Sequence, residues 1–293
     1  MKINNFFLTF FVLVCCNSLE SSKLKQIVID PTYQHDKYNT QPKDIIRSFR
    51  AYVTSFDSND DNNGDGKNDS WGIPEWVSYE IKKVSDPGKA PKRPSSWITD
   101  KDLYTRGIAP KDESYKYSKQ FRSQNPNWYD RGHMCMKQIA WRLGRDADWN
   151  THTMLNACPQ RHDNNAGIWL DMEIKTMDWA NKFGSVWVIC GPIFVDKTPS
   201  EYIGETEKNE MLVAIPDAFF KIVIKENGDI NKPDILAFIY PQDTERKDKN
   251  HVTYLVSVDE IERKTGLDFL TILPDSEEEE IEEIKATEIW PTQ

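Results

Sequence analysis

The chain has 293 residues, which fits one large domain or two small ones. Hydrophobic residues make up 38% of it and include 10 Trp, so a packed core can form and general disorder is excluded. The formal net charge of −10 excludes a protein that binds nucleic acid over its whole surface.

The first twenty residues have the pattern of an export signal. The apolar run Phe6–Val14 follows a positive residue and is too short to cross a membrane as a helix. The four residues ending at Cys16 resemble a lipobox, in which Cys16 would be a lipid anchor, although Cys15 stands where a small residue is usual. The alternative is ordinary cleavage at residues 18–22. We expect residues 1–20 to be a signal peptide and the mature protein to be secreted, periplasmic or anchored at the cell surface.

Residues 21–42 are polar and predict a linker, and residues 43–293 predict one domain. Alternating or continuous apolar runs predict strands at 50–56, 76–81, 151–157, 185–190, 211–215, 219–224 and 235–240. Helical spacing predicts helices at 165–183 and at 257–265, the second ending at Gly266. Since strands and helices do not alternate regularly, we predict an α+β fold with a mostly antiparallel central sheet flanked by helices.

An acidic loop between the first two predicted strands imitates a calcium-binding loop. Asp61, Asn63, Asp65 and Asp69 occupy its positions 1, 3, 5 and 9. Position 12 is Gly72, where such loops need a glutamate. A structural Ca²⁺ site and a solvated turn both remain open.

Charge is distributed unevenly along the chain. Residues 82–122 contain 11 Lys/Arg and 5 Asp/Glu, whereas residues 275–288 contain 8 acidic residues and 1 Lys. The basic stretch therefore favours contact with phosphate, because such contact depends on the local field. The acidic end is interpreted as a solvated C-terminal helix.

Three motifs follow in order: Asp130-Arg131-Gly132-His133, then Asn156-Ala157-Cys158-Pro159-Gln160, then a segment from Asn165 to Glu173. They provide a histidine suited to act as a base near neutral pH, together with amide and carboxylate oxygens suited to Mg²⁺. Asn165 and Glu173 are eight residues apart, about two helical turns, and are expected on one face of a helix. These groups suit hydrolysis of a phosphodiester with one divalent cation.

This ordered set resembles the DNA/RNA non-specific endonucleases, which include sugar non-specific bacterial nucleases and mitochondrial endonuclease G and have the ββα-metal (His-Me finger) fold. The resemblance covers roughly residues 71–290. It implies that His133 is the general base and that Asn165 is the direct protein ligand of Mg²⁺, for which Mn²⁺ can substitute. It also implies that Glu173 holds metal-bound waters.

The resemblance further implies that Arg131 lies close to the substrate phosphate and that Asn156 supports the site. We count both with His133 and Glu173 as the catalytic set. A second, upstream arginine stabilises the transition state in the family, and both Arg93 and Arg106 are candidates. The sequence departs from the family pattern at Cys135-Met136 and at 151–155, which removes no catalytic group.

The four other histidines are interpreted as structural residues, although a histidine can also act in catalysis. His35, His152, His162 and His251 lie outside the motifs. The three cysteines after the signal have two interpretations, a disulfide between one pair or three buried thiols. They are Cys135, Cys158 and Cys190.

The sequence thus predicts a secreted or surface-anchored Mg²⁺-dependent endonuclease, acting on DNA and RNA and leaving 5′-phosphates. The alternative is a catalytically silent exported protein that kept the fold and binds nucleic acid or calcium. A third interpretation is a phosphodiesterase for small substrates. The oligomeric state is left open.

Overall fold

The computed structural model describes residues 30–38, 44–58, 71–116, 129–204, 210–229 and 231–292. The predicted signal peptide and Cys16 lie outside the described residues, as do the calcium-loop residues Asp61, Asn63, Asp65 and Asp69. None of the helices in the described ranges combines the length and the apolar character that a membrane span requires.

A seven-stranded sheet forms the centre of the protein, and every pair of neighbouring strands in it is antiparallel. Its order is β1-β2-β3-β6-β9-β10-β11, while β4 pairs with β5 and β7 with β8. The strands are β1 Ile45–Ser48, β2 Val53–Phe56, β3 Pro74–Lys82, β4 Tyr129–His133, β5 Ala157–Arg161, β6 Ser185–Ile193, β7 Tyr202–Ile203, β8 Val213–Ala214, β9 Ala218–Lys225, β10 Asp234–Pro241 and β11 Leu255–Val256. The predicted α+β fold with a mostly antiparallel sheet is confirmed.

Short helices and one long helix surround the sheet. They are α1 Lys101–Thr105, α2 Lys137–Trp141, α3 Arg145–Asn150, α4 His162–Asn164, α5 Leu170–Phe183, α6 Val258–Thr265 and α7 Asp275–Glu282, with 3-10 turns at Asp112–Tyr115, Met154–Asn156 and His251–Tyr254. Helix α6 begins where the Ser257 hydroxyl accepts the amide of Glu260 at 3.2 Å, and it ends at Gly266 with φ +74°. Both ends agree with the prediction.

The two faces of the central strands carry separate apolar clusters, because successive side chains of a strand point to opposite sides. One face packs against α5 and the residues before it. The other face packs against α6, α7 and residues 30–38. Burial of both faces explains why β6 and β9 are almost continuously apolar. The first cluster includes Trp169, Met172, Val188, Phe219 and Val223, and the second includes Trp187, Ile189, Ile222, Ile261 and Phe269.

Residues 30–38 belong to the stretch for which we predicted a linker, yet they pack against β3. The amide of Gln34 donates to Glu80 Oε2 at 2.7 Å, and the amide of Glu80 donates to Nδ1 of the buried His35 at 3.0 Å. Tyr38 is 1% exposed in the second cluster. A few aromatic rings among polar residues provide this packing, which average polarity does not predict.

The strand predicted at 151–157 is displaced along the chain. A 3-10 turn, Met154–Asn156, comes first, and β5 follows at Ala157–Arg161. Pro159 disfavours a strand at this position, since proline has no amide hydrogen to donate. It is tolerated because, among the described residues, β5 pairs with β4 alone, so one side of the two-stranded ribbon needs no donor.

Candidate active site

The antiparallel strands β4 and β5, which residues 134–156 connect and which we call the hairpin, position the histidine of the first motif. His133 is paired with Ala157, and Gly132 with Cys158. A Cβ atom at Gly132 would lie 2.2 Å from Oε1 of Gln160, so only glycine fits against that side chain. The side-chain Nε2 of Gln160 in turn donates to Asn164 Oδ1 at 2.7 Å. The glycine and glutamine of the two motifs therefore fit each other at the base of the hairpin.

The residues after β5 differ from the single regular helix predicted at 165–183. A wide turn, Asn165–Trp169, kinks at Gly167, whose φ/ψ of −106°/−114° are not helical, and α5 starts only at Leu170. On a regular helix eight residues would overshoot two turns by about 80°. The kink changes that offset, and both Asn165 and Glu173 line one cavity. The expected shared face therefore exists, although its local geometry was predicted wrongly.

The cavity has a volume of about 460 Å³ and collects side chains from the hairpin, the kinked helix and the basic stretch. It contains four of the five residues predicted for the motif site, all but Asn156. Its lining includes Arg93, Trp97, Asp130, Arg131, His133, Lys137, His162, Asn165 and Glu173. Residues far apart in the sequence thus meet at one polar concavity.

His133 is buried against aromatic rings and is held through its backbone. Its ring lies 4.5 Å from that of Trp97 and 5.2 Å from that of His152, centre to centre. Trp169 Nε1 donates to the His133 carbonyl at 3.1 Å. Burial, with nearby His152 and the cations Arg93, Arg131 and Lys137, holds the pKa of His133 well below its ordinary value of 6.5. The imidazole is therefore neutral at pH 7 and able to accept a proton.

Asn165 is oriented by the aspartate of the first motif. Its Nδ2 donates to Asp130 Oδ2 at 2.9 Å, and the same oxygen contacts His162 Nδ1 at 2.8 Å. With its nitrogen engaged in this way, the amide of Asn165 presents its oxygen as the remaining polar atom. An amide oxygen held in place by a carboxylate is suited to ligate a hard cation.

Glu173 is a buried carboxylate at the wall of the same cavity. It is 5% exposed, and its Oε1 has no hydrogen-bond partner among the described residues. Burial raises the pKa of Glu173 to about 7, although Lys221 and Arg93 act to lower it. Glu173 is therefore close to the boundary between its neutral and ionised forms at physiological pH.

Of the two upstream arginines, only Arg93 reaches this site. Arg93 lines the cavity, whereas Arg106 ends α1 and forms an exposed ion pair with Asp102 at 3.6 Å. Arg131 lines the cavity as well, with its guanidinium 5.5 Å from the Trp97 ring centre. The guanidinium of Arg131 pairs with Asp112 rather than with its neighbour Asp130.

Asn156 lies outside the cavity, and this corrects its place in the catalytic set. It is fully buried, and its Oδ1 accepts the amide of Cys135 at 2.8 Å. Its Nδ2 donates to the carbonyls of Cys135 at 2.9 Å and Thr151 at 3.0 Å. With its amide engaged by the backbone, Asn156 cannot touch substrate. It is a positioning residue that braces the segment following His133.

Sequence reasoning missed several residues that contact these groups. Asp130 was assigned no role, and His162 was given a structural interpretation, although both line the cavity. The Lys221 ammonium, on β9, is fully buried and lies 3.7 Å from the Trp169 ring centre. Burial lowers the pKa of Lys221, while Glu173 acts to raise it. A lysine within an apolar strand is the signal that could have identified it.

The remaining histidines and the cysteines occupy structural positions. His251 is buried and lies 3.0 Å from the Tyr240 hydroxyl and 2.8 Å from Asp171 Oδ2. His152 packs behind His133, and burial lowers its pKa to about 4. All three cysteines are free and buried, in agreement with the interpretation as thiols.

A second groove of about 480 Å³ adjoins the cavity, and Trp97 lines both. Lys101, Tyr104 and Lys111 belong to its walls, with the ammonium of Lys111 3.8 Å from the Tyr104 ring centre. Cations beside aromatic rings suit a polyanion that carries flat bases.

The donor set of the cavity fits one hydrated hard cation. Asn165 provides a neutral oxygen and Glu173 a carboxylate with one unpartnered buried oxygen, a state that buried polar atoms rarely tolerate. These are oxygen donors, as Mg²⁺ prefers, and they are few, as Mg²⁺ requires when it keeps several waters.

Comparisons with known proteins agree with this geometry. A family model described as DNA/RNA non-specific endonuclease matches residues 37–276. The chain is 30% identical to a nuclease of Serratia marcescens over 68% of the chain and 69% of that protein. It is 26% identical to mitochondrial nuclease EXOG of Xenopus laevis, over 67% of the chain, and 27% identical to the mitochondrial nuclease of Saccharomyces cerevisiae, over 69%. The matches cover only 53% and 62% of those two relatives.

The fold has a counterpart among solved structures. A chain from the crystal structure of the EndoG/EndoGI complex superposes with a TM-score of 0.60 at 22% identity, covering 80% of this chain and 89% of that one. The predicted ββα-metal fold is confirmed.

Proposed function

Because the chain belongs to the DNA/RNA non-specific endonuclease family, we propose that it is a Mg²⁺-dependent endonuclease that hydrolyses the phosphodiester bonds of DNA and RNA. One observation carries the proposal. His133, Asn165 and Glu173 line a single cavity together with Arg93 and Arg131. A base, oxygen donors for a cation and two guanidinium groups are what hydrolysis of a phosphodiester requires.

His133 acts as the general base in this proposal. Its Nε2 has no hydrogen-bond partner among the described residues, and the lowered pKa keeps the ring neutral. Nε2 takes a proton from the attacking water as the water oxygen bonds to phosphorus. The bond to the 3′ oxygen breaks and that oxygen takes a proton from solvent water, which leaves a 5′-phosphate on one product and a 3′-hydroxyl on the other. The hydrogen bond from Trp169 to its carbonyl holds His133 in place for this step.

Arg93 and Arg131 bind the phosphate, where planar guanidinium donors match two oxygens at once. Of the two upstream candidates, Arg93 is the arginine that we assign to stabilisation of the transition state, since Arg106 does not line the cavity. Arg131 is held by Asp112 and can still reach the cavity, with 28% of its side chain exposed.

Asn165 would hold Mg²⁺ through its amide oxygen, and Glu173 would hold it through water; Mn²⁺ fits the same donors. When bound, the cation neutralises charge on the phosphate and on the leaving oxygen. Asp130 keeps the Asn165 amide turned so that its oxygen is the free atom.

Weak base selectivity follows from which groups face the substrate. The cavity and the adjoining groove offer cations and rings, which contact phosphates and any base, rather than paired donors and acceptors that read one base. DNA and RNA both carry these features, so we propose that both are substrates.

We also propose that the protein is exported. The support is the positive residue and apolar run before Cys16 in the sequence. Mass spectrometry of the protein from its own cells tests this: an N-terminus near residue 18, or a lipidated Cys16, is expected. Recovery of the chain from Met1 in the cytosol would contradict export.

The function is tested by incubating purified protein with plasmid DNA and with RNA in Mg²⁺. We expect both to be cleaved, activity to be lost in EDTA, and His133→Ala to lower kcat by about 10²–10⁴-fold. Asn231→Ala, an exposed residue, is the control and should retain wild-type activity. Products should accept a 5′ label only after phosphatase treatment.

Two results would overturn the proposal. Activity that survives EDTA or His133→Ala excludes this mechanism. A folded protein that binds DNA but cleaves nothing with any divalent cation favours the catalytically silent alternative.

A further inference from the structure

A group of three carboxylates lies on the opposite face of the sheet from the cavity, where α6 meets α7. Asp259 and Glu262 belong to α6 and Glu282 ends α7, and one oxygen from each lies within 4.8 Å of the others. We propose that Asp259, Glu262 and Glu282 bind a calcium ion, independently of the nuclease function.

The state of Glu282 is the observation that separates this group from an ordinary acidic surface. Glu282 is only 6% exposed, and its Oε1 is buried with no hydrogen-bond partner among the described residues. Buried carboxylate oxygens are normally hydrogen-bonded, and an unpartnered one calls for a ligand. Its carboxylate is directed into the group, beside two others.

No lysine or arginine among the described residues forms an ion pair with any of the three carboxylates. The pairing closest along the chain, Lys232 with Glu280 at 3.1 Å, is exposed. Each of the three carboxylates therefore has the other two beside it, and a divalent cation would offset the repulsion among them.

Glu262 is already held in position by the backbone. Its Oε1 accepts the amide of Phe269 at 2.7 Å, where the chain turns from α6 toward α7. The apolar residues Ile261, Phe269 and Leu273 pack beneath. The carboxylate therefore sits on a rigid base, with less conformational entropy to lose when an ion binds.

The donor set favours Ca²⁺ over Mg²⁺. Ca²⁺ accepts several carboxylates in a flexible arrangement, whereas Mg²⁺ demands near-ideal octahedral geometry and is usually bound by only one or two. Three carboxylates leave room for waters in a shell of six to eight ligands. Glu282 also lies beyond residues 37–276, so the family match does not include it.

Thermal unfolding of the full chain, freed of metal, tests the site. Ca²⁺ should raise Tm by about 3–6 °C at tenfold above a Kd of about 1 mM, relative to NaCl of equal ionic strength. Glu282→Gln should remove most of that shift. Glu283→Gln deletes the same charge from an exposed neighbouring position and should keep the shift.

Asp259→Asn provides a second, milder variant and should weaken the response to Ca²⁺. Calcium bound elsewhere, at residues 61–69 or in the cavity, would stabilise wild type and Glu282→Gln alike. An equal shift in those two proteins, or no shift in wild type, overturns the proposal. Equal stabilisation by Mg²⁺ overturns the assignment to calcium. None of these results depends on whether the protein cleaves nucleic acid.

Discussion

The ammonium nitrogen of Lys221 lies 3.7 Å from the centre of the Trp169 indole ring, and that ring donates its Nε1–H to the carbonyl of His133. Lys221 is fully buried and has no hydrogen-bond partner among the described residues. Its charge acts on Glu173 as well, whose pKa it lowers against the effect of burial. One lysine of the central sheet therefore supports both the base and the carboxylate.

Replacing Lys221 by methionine should shift the pH dependence of cleavage. The pKa of Glu173 is already raised to about 7, and removal of the nearby cation raises it further. Glu173 then ionises only at higher pH, so the rising limb of kcat/KM should move up by about one pH unit. Profiles measured from pH 5 to 9 check this.

Two further variants separate this charge effect from packing. Lys221→Arg keeps the positive charge, so the rising limb of kcat/KM should stay near its wild-type pH. Lys225→Met removes a lysine from the same strand that pairs with Asp234 at 2.7 Å, and it should leave the limb unchanged. An unshifted limb in Lys221→Met contradicts the role assigned to Lys221.

Asp130→Ala should weaken the response to Mg²⁺ more than it alters stability. Asp130 Oδ2 holds the Asn165 amide, and loss of such an orienting partner typically costs about 10–100-fold in metal affinity. The Mg²⁺ concentration giving half-maximal activity should rise by that factor. Asp163→Asn, an exposed neighbour, is the control. If both variants need the same Mg²⁺ concentration as wild type, Asp130 does not orient the ligand.

Asn156→Ala should destabilise the protein by about 3 kcal/mol, because it leaves buried backbone groups of Cys135 and Thr151 without their partner. Urea unfolding followed by circular dichroism measures the change, and the exposed Asn231→Ala should stay within about 0.5 kcal/mol of wild type. Wild-type stability in Asn156→Ala would contradict the bracing role.

In His35→Gln, the free energy of unfolding should fall less steeply than in wild type as the pH drops from 6.5 toward 4. Burial lowers the pKa of His35 to about 4 from 6.5. Between these values the unfolded chain binds a proton that the folded chain does not, so the stability due to His35 is complete above pH 6.5 and is lost as pH falls toward 4. Protonation of Nδ1 would also break the bond from the Glu80 amide. The difference in Tm between the two proteins, measured at pH 7 and 5, should narrow at pH 5.

Lys101 and Lys111 should contribute to substrate binding more than to catalysis, since they line the groove beside the cavity. The double replacement by alanine should raise KM and reduce the salt dependence of binding by about one unit of slope per lost contact. Lys285→Ala, an exposed lysine near the C-terminus, should change neither quantity. A lower kcat with unchanged KM would place these lysines in the catalytic step instead.

The hydrophobic pattern predicted most of the central sheet, because β6, β9 and β10 are largely apolar runs and β3 contains apolar residues that alternate with polar ones. The first and third motifs predicted residues that meet at the cavity, whereas no residue of the second motif lines it. They did not predict the kink at Gly167, since a glycine near a helix start is also compatible with a regular helix. The close approach of Arg246 to Gly167, where a Cβ would lie 3.0 Å from its Cα, comes from a distant part of the chain.

Asn156 and Lys221 show that motif membership alone does not predict which residues act at the cavity. Asn156 belongs to a motif and was placed in the catalytic set, but its amide faces the backbone. Lys221 belongs to no motif, yet it is buried within reach of Glu173. Orientation and long-range contact depend on packing, which spacing along the chain does not encode.

The hydrogen bond from Trp169 to the His133 carbonyl joins the hairpin to the turn that leads into the long helix. Any displacement of the helix is therefore transmitted to the hairpin, and the gap between proton acceptor and cation ligands is set inside the core rather than by surface loops. An engineer could exchange rim residues such as Lys101, Tyr104 and Lys111 to change which polymers enter, while the reaction distance stays as it is.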